Sequence, residues 1–459
     1  MTKDQFTVTE NKVPQTILSF EPPIGHAMPA GSNEHAIVHS TADLKKIGNA
    51  PVNILVFDEL NTAWDATAYA RMQMENYIKA QTEPLQVPTQ LVAVGSDNHF
   101  VVLHDYTQSR QDLLDAIKKY WPRYPYEMMR GGSGNTPIEL MEETLGALSQ
   151  LAESSRGTPG HKNVIWVGNG YPSINLQTLQ FDDEDKLKDI IRRVTDRMLQ
   201  ARMALYLVDP KGVQSVQTDG GVSDDDGEAV QTLGSVVGPF EGDLDFATFA
   251  PATGGEIFAS RNDVDIAIAQ SVQDGGVYYT LSYAPTGTGD EPLKYRQIKV
   301  TLKDPNLHAV TRDGYFPAAS VVEVVPTEKK VKASNQLQYD IVSAARTRLV
   351  YNGLDVLAKP AHEGYDVLVG TKSLHWTRQD DGSQVAEVTV MITFFNMKNK
   401  EVKSVPLQLK EKIGADVVTG LQGRVAFHIP VRGPEQATRV RFVVRDAATG
   451  IMGTADLDH

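Results

Sequence analysis

The chain runs to 459 residues, more than one compact core holds and enough for two or three domains of about 100 to 200 residues each. With 44 Lys and Arg against 58 Asp and Glu, its net charge of -14 repels phosphate backbones and argues against nucleic acid as a partner. The absence of cysteine excludes disulfides, thiol nucleophiles and thiolate metal sites, and no apolar run approaches the ~20 residues of a membrane-spanning helix.

The first residues, MTKDQFTVTENKVPQTI, show no apolar leader core and enter strand-like alternation at once, which leaves open both a non-exported protein and a removed leader. Residues 5 to 21 alternate apolar and polar side chains around an Asn-Lys turn and predict a half-buried hairpin. A Pro/Gly-rich link follows to about residue 50. From Val52 the pattern changes to a continuous apolar run, VNILVF, then a turn, then an amphipathic stretch from Asp65 to Gln81 with helical spacing. QLVAVGS (90 to 96) and HFVVLHD (99 to 105), joined at Asp97-Asn98, predict a hairpin. Further apolar strands, NVIWVG, MALYLVD and EIFAS, alternate with helix-like segments up to about residue 274. This succession predicts an α/β domain over 51–274: a mainly parallel sheet covered on both faces, with one antiparallel edge hairpin.

After Gly276 the helical spacing stops, and VYYTLSYAP and YRQIKVTLK predict a strand pair across the stretch TGTGDEP. Their chemistry resembles that of the N-terminal hairpin. Residues 275–320 are therefore expected to complete one sandwich with residues 1–50, the α/β domain being inserted between them. Residues 321–335 read as a linker. Residues 336–459, with AEVTVMITFFNM, RVAFHIPV and TRVRFVVRD, predict a second β-sandwich of immunoglobulin-like size.

ILVFDELNT, AYARMQ, GGSGNTPIEL, KNVIWVGNGYPS, LYLVDPKG, ATGGEIFAS and VYYTLSYAP occur in this order. Together they resemble a von Willebrand factor A domain, and more narrowly the acidobacterial VWFA-related family, along about residues 5 to 317. The resemblance implies a von Willebrand A-type (Rossmann-like) α/β fold with flanking β-sandwich modules. It also implies life outside the cytoplasm, whether extracellular, periplasmic or at the cell surface. In metal-binding members of that fold, Asp-x-Ser-x-Ser after the first strand, a Thr from a second loop and an Asp after the fourth strand hold the ion. By position these are Asp58, Leu60 and Thr62, then Thr136, then Asn169.

The cofactor so implied is Mg2+ or Ca2+, which take hard oxygen ligands. Leu60 cannot coordinate through its side chain, and Asn169 offers a neutral carbonyl where a carboxylate would sit, so the resemblance implies a degenerate site at Asp58, Thr62, Thr136 and Asn169. Glu59, Asn61, Ser133 and Asn135 are the further loop residues that would face a protein ligand or add oxygen atoms. Asp and Thr at strand-to-helix turns also commonly cap helices or bond one another, and Asp58 and Thr136 fit that role too.

Other motifs carry less. The acidic run Ser223 to Glu228 lacks the alternating spacing and distal Glu of an EF-hand loop and reads as a solvated loop. The 11 histidines lack HExxH spacing, GGSGNTP lacks the Lys of a phosphate loop, and no GxSxG elbow occurs. Trp121 to Tyr126 form an aromatic, proline-spaced segment that would anchor a partner or pack a loop onto the domain. The expected function is thus non-enzymatic protein binding or adhesion through loops at the C-terminal end of the sheet. The alternatives are a carbohydrate-processing hydrolase using Asp58, Glu59 and Asp209, or a structural subunit of a surface assembly.

Overall fold

A computed structural model describes residues 1–29, 37–95, 99–121, 136–175, 181–211, 243–285, 295–317, 340–414 and 423–458. The chain divides into two compact units, Met1–Leu148 with Gly160–Val321, and Ser149–Pro159 with Val322–His459. In the first unit the strands are β1 (Phe6–Glu10), β2 (Val13–Gln15), β3 (Ile17–Glu21), β4 (Val52–Asp58), β5 (Thr89–Gly95), β6 (His99–Thr107) and β7 (Lys162–Val167). They continue with β8 (Ile174–Asn175), β9 (Met203–Val208), β10 (Asp243–Leu244), β11 (Ile257–Phe258), β12 (Thr280–Tyr283), β13 (Arg296–Leu302) and β14 (Gly314–Tyr315). The helices are α1 (Trp64–Ala80), α2 (Arg110–Lys119), α3 (Pro137–Ser154), α4 (Phe181–Gln200), α5 (Phe249–Thr253) and α6 (Val264–Gly276).

Six strands form a mixed sheet in the order β11-β9-β7-β4-β5-β6. Every neighbouring pair is parallel except β5 and β6. All residues of β4 are buried, as its apolar run requires of a strand with neighbours on both edges and cover on both faces. On one face Leu55, Phe57, Ile165, Val167 and Tyr206 share a core with Met74 and Ile78 of α1, Leu113 and Ile117 of α2, and Ile268 of α6. Helix α1 reaches this core because its buried residues Ala66, Ala70, Met74, Tyr77 and Ile78 recur at three- and four-residue steps. Strand alternation sends Val56, Asp58, Trp166, Leu205 and Leu207 to the other face, where α4 and α5 meet β9. The architecture is α/β, joined by antiparallel β layers.

Two smaller sheets stand beside it, β14-β13-β1-β2 and β12-β3. Asn11 and Lys12 take positive φ (47° and 68°), the backbone that a tight hairpin turn between β1 and β2 needs. The strand pair expected within 277–303 does not form: β12 pairs with β3, and β13 pairs with β1 and β14. The link between β12 and β13 is longer than the two to five or so residues of an ordinary hairpin loop, so the strands separate into different sheets. Phe6, Phe20 and Tyr279 then fill the space with ring centroids 5.2 to 5.8 Å apart. Behind them the Glu10 carboxylate, 3% exposed, accepts from Arg296 at 2.8 Å and from the hydroxyls of Tyr283 at 2.7 Å and Tyr315 at 3.0 Å.

At the N-terminal end of the parallel strands, the Tyr278 ring stacks on His26 at 4.3 Å and packs against His161 at 4.9 Å. Next to it Lys162 opens β7 at 1% exposure. Burial, reinforced by the charge of Arg202, pushes its ammonium from the ordinary 10.5 down to about 7.

The second unit contains β15 (Val356–Ala361), β16 (Gly364–Gly370), β17 (Thr377–Arg378), β18 (Gln384–Phe395), β19 (Glu401–Ile413), β20 (Arg424–Ile429), β21 (Arg439–Asp446) and β22 (Met452–Asp458). They form two antiparallel sheets, β15-β16-β20 and β17-β18-β21-β22, with β19 added on β18. Val367, Val369, Val390, Ile392, Phe394, Phe442 and Val444 build its core. Arg441 is fully buried on β21, and it donates to Asp456 and to the carbonyls of Ala344 and Leu349. Asn352 binds Ser154, Gly157 and Thr158, so 149–159 groups with this unit although the sequence placed it within the α/β range.

Removing a partner from a buried ion pair leaves an uncompensated charge, so Glu10→Ala is expected to cost about 3–5 kcal/mol, read by denaturant unfolding. Lys162 has its folded value below its unfolded one. Between pH about 7 and 10.5 the unfolded chain therefore binds the extra proton, and stability rises with pH across that window. Lys162→Met is expected to flatten this rise when denaturation midpoints at pH 7 and 9.5 are compared.

Candidate functional site

Ligand sites on open parallel sheets lie beyond the C-terminal strand ends. Here β4, β7 and β9 end side by side, each running into a loop of polar and glycine residues. Asp58 closes β4, and the chain turns sharply after it: the backbone N–H groups of Glu59 and Leu60 both reach the carbonyl of Val94 at the end of β5, at 2.8 and 3.1 Å. The Asp58 side chain is 0% exposed.

Both of its oxygens are engaged by nitrogen donors. Oδ1 accepts from the backbone N–H of Leu60 at 3.1 Å and of Asn61 at 3.0 Å, the geometry of an Asx turn. Oδ2 accepts from the Trp166 indole Nε1 at 2.9 Å and from the backbone N–H of Gly170 at 2.9 Å. The Asn61 Nδ2 lies 3.3 Å from each oxygen. Burial raises the Asp58 carboxyl above the ordinary carboxylate range, and these donors act in the opposite direction.

The loop after β7 is shaped to wrap this carboxylate. Gly168 has φ 154°, and a Cβ there would lie 2.3 Å from the Asp58 Cβ and 2.6 Å from the Thr62 hydroxyl. Gly170 has φ 67°, and its Cβ would enter the Phe246 ring at 1.9 Å. Between the glycines, Asn169 donates its backbone N–H to Thr62 Oγ1 at 3.2 Å and its Nδ2 to Asp209 Oδ1 at 2.8 Å, which ties in the loop after β9. Lys211 N–H donates to the same Asp209 oxygen at 2.9 Å. Asn61 Nδ2 continues the network to Thr144 Oγ1 of α3 at 3.0 Å. Beneath the loops, Phe246 packs against Trp166 and Tyr171 with centroids 5.2 and 5.3 Å away.

Of the residues singled out in the sequence, Asp58, Asn61, Thr62 and Asn169 thus share one network, and Glu59 is buried beside them at 3% exposure. Thr136 has a different task. It opens α3 as a reciprocal cap, its hydroxyl accepting from the Glu139 N–H at 3.3 Å while the Glu139 carboxylate accepts from its N–H at 2.7 Å and its hydroxyl at 3.1 Å. Ser133, Asn135 and the acidic run 223–228 lie outside the described residues. Trp166 and the Gly168–Gly170 pair carry much of the geometry without having been singled out as site residues. The GNG triplet in the sequence signals a special turn there, but nothing in it points to Asp58.

Two of the acids named for a hydrolytic alternative are held by hydrogen bonds within the loops. Asp58 is consumed by fixed donors, and Asp209 Oδ1 is held by Asn169 and Lys211. Among the described residues, Asn61 Oδ1 and Asn169 Oδ1 are buried with no hydrogen-bond partner, as is the hydroxyl of Tyr171.

No family model matches the chain, and no curated protein matches it. Solved structures give remote likenesses. An aerotolerance-related membrane protein from Bacteroides fragilis is 11% identical over 49% of this chain and 98% of its own, with a TM-score of 0.27. Manganese-loaded TRAP protein from Plasmodium vivax is 11% identical over 56% of this chain and 91% of its own, with a TM-score of 0.26. Proximal thread matrix protein 1 from the mussel byssus is 12% identical over 35% of this chain and 38% of its own, with a TM-score of 0.23. TM-scores of this size do not establish a shared fold.

Gly170→Ala is expected to destabilise the protein by at least about 2 kcal/mol, because both its positive φ and the Phe246 ring oppose a side chain. Gly276→Ala, where an added Cβ meets nothing within 4 Å, is the control and should leave the denaturation midpoint nearly unchanged.

Proposed function

We propose that this chain is a non-enzymatic protein-binding or adhesion module of von Willebrand A type. In this reading a protein ligand docks on the loops at the C-terminal end of the six-stranded sheet, at the partly exposed Asn61 and Asn169, whereas Glu59, expected from the sequence to face the ligand, is 3% exposed and gives it no surface. The observation that carries it is the hydrogen-bonded joining of three loops, after β4, β7 and β9, into one preorganised face at the C-terminal end of the sheet. A single antiparallel edge strand on an otherwise parallel sheet, together with the residues of the sequence resemblance, supports the von Willebrand A assignment. Export to the periplasm, the cell surface or the medium belongs to the same reading. The two β-sandwich regions then serve as spacers or secondary contacts.

The test is site-specific photocrosslinking from position 61 and position 169, with position 397, which is 89% exposed in the second unit, as control. Adducts with one ligand protein should form from 61 and 169 but not from 397. Excess wild-type protein should compete them away, while Asn169→Lys should compete at least about tenfold less well, a loss of ~1.4 kcal/mol. Equal adducts at 397, or equal competition by the variant, would place recognition elsewhere.

A further inference from the structure

The sequence resemblance implies a divalent cation against Asp58, and the donor set decides whether one fits. Mg2+ and Ca2+ need oxygen lone pairs at about 2.0–2.6 Å. At Asp58 those lone pairs meet the N–H groups of Leu60, Asn61, Trp166 and Gly170, whose positive ends converge where a cation would have to sit. Leu60 adds an apolar side chain, the Thr62 hydroxyl already accepts from the Asn169 N–H, and Thr136 caps the first turn of α3. These residues suit an anion and do not fit a divalent cation.

We propose that the Asp58 carboxylate is itself the central ion of this face, a built-in anion that latches the loops after β4 and β7 together and makes the face independent of metal. Trp166 and Gly170 are then positioning residues. The indole reaches Oδ2 from within the sheet, on the strand next to β4, and the Gly170 N–H brings the second loop onto the same oxygen. Thr62, accepting from Asn169, and Asn169, donating to Asp209, extend the latch to the loop after β9. This concerns how the face is held, and its test requires no ligand. It can therefore fail while the binding reading stands, and the reverse.

The experiment titrates metal-stripped protein with Mn2+, Mg2+ and Ca2+ up to about 10 mM by calorimetry and thermal unfolding, a range that covers weak extracellular-type sites. In parallel, Asp58→Asn and Trp166→Phe are examined by thermal unfolding and amide hydrogen exchange. The latch predicts no saturable heat and no cation-dependent shift of Tm in the wild type. It also predicts a lower Tm for metal-free Asp58→Asn, because the new amide turns a donor toward donors. Trp166→Phe should speed exchange of the Asn169 and Gly170 amides by about tenfold or more while leaving those of β13 unchanged. If Asp58→Asn does not fold, the wild-type titration and Trp166→Phe still decide. Saturable Mn2+ binding by the wild type, an unchanged or higher Tm for metal-free Asp58→Asn, or unaltered exchange at 169 and 170 in Trp166→Phe would overturn the proposal.

Discussion

A carboxylate withdrawn completely from water must be given donors or give up its charge, and at the end of β4 the sheet meets that demand with backbone and indole N–H groups. Much of the upper face is arranged around this requirement. The turn after Asp58 supplies two donors, the second loop supplies another, and Trp166 spends its one polar atom there in place of a solvent-facing position. Glycine at 168 and 170 is the steric counterpart, since the second loop approaches too closely for any side chain. The residues that remain to meet a partner are those at the margin of the network, the partly exposed Asn61 and Asn169, each of which uses its amide nitrogen internally.

The opposite end of the same sheet handles buried polarity differently. There Lys162 is held at the start of a central strand beside His161, and Tyr278 lies between His161 and His26, so that rings and a poorly solvated amine share one region. Burial there favours the neutral forms of His161 and Lys162, whereas the upper face supplies hydrogen bonds to a carboxylate. The second unit uses a third solution: Arg441, fully buried, satisfies its guanidinium with two main-chain carbonyls and the Asp456 carboxylate.

Features set by local pattern were legible in the sequence. The unbroken apolar run of β4, the antiparallel pairing of β5 with β6, and the helical spacing of α1 are patterns that neighbouring residues impose on one another. Asp58 and Asn169 are picked out by the family resemblance, which assigns its ligands to the loops at the ends of such strands. What could not be read were partners far along the chain. The indole of Trp166 meets Asp58 across 108 residues, and Asn61 meets Thr144 across 83, with no local signature for either contact. The same limit explains β12 and β13: each run announces a strand, but the choice of β3 and β1 as partners rests on packing of Phe6, Phe20 and Tyr279 between sheets.

The pairing of β1 with β13 also sets a schedule. Arg296 lies 286 residues beyond Glu10, so a ribosome adding ~5–20 residues per second needs about 15–60 s to deliver the strand that completes the first one. Through that interval β1 has only β2 and β3 as neighbours made with it, and the Glu10 carboxylate travels on the nascent chain without Arg296, Tyr283 and Tyr315, while the parallel sheet emerges behind it. Strand β1 is therefore made long before β13 and is among the last to be enclosed, and protecting it from premature association falls to whatever accompanies the chain as it is synthesised.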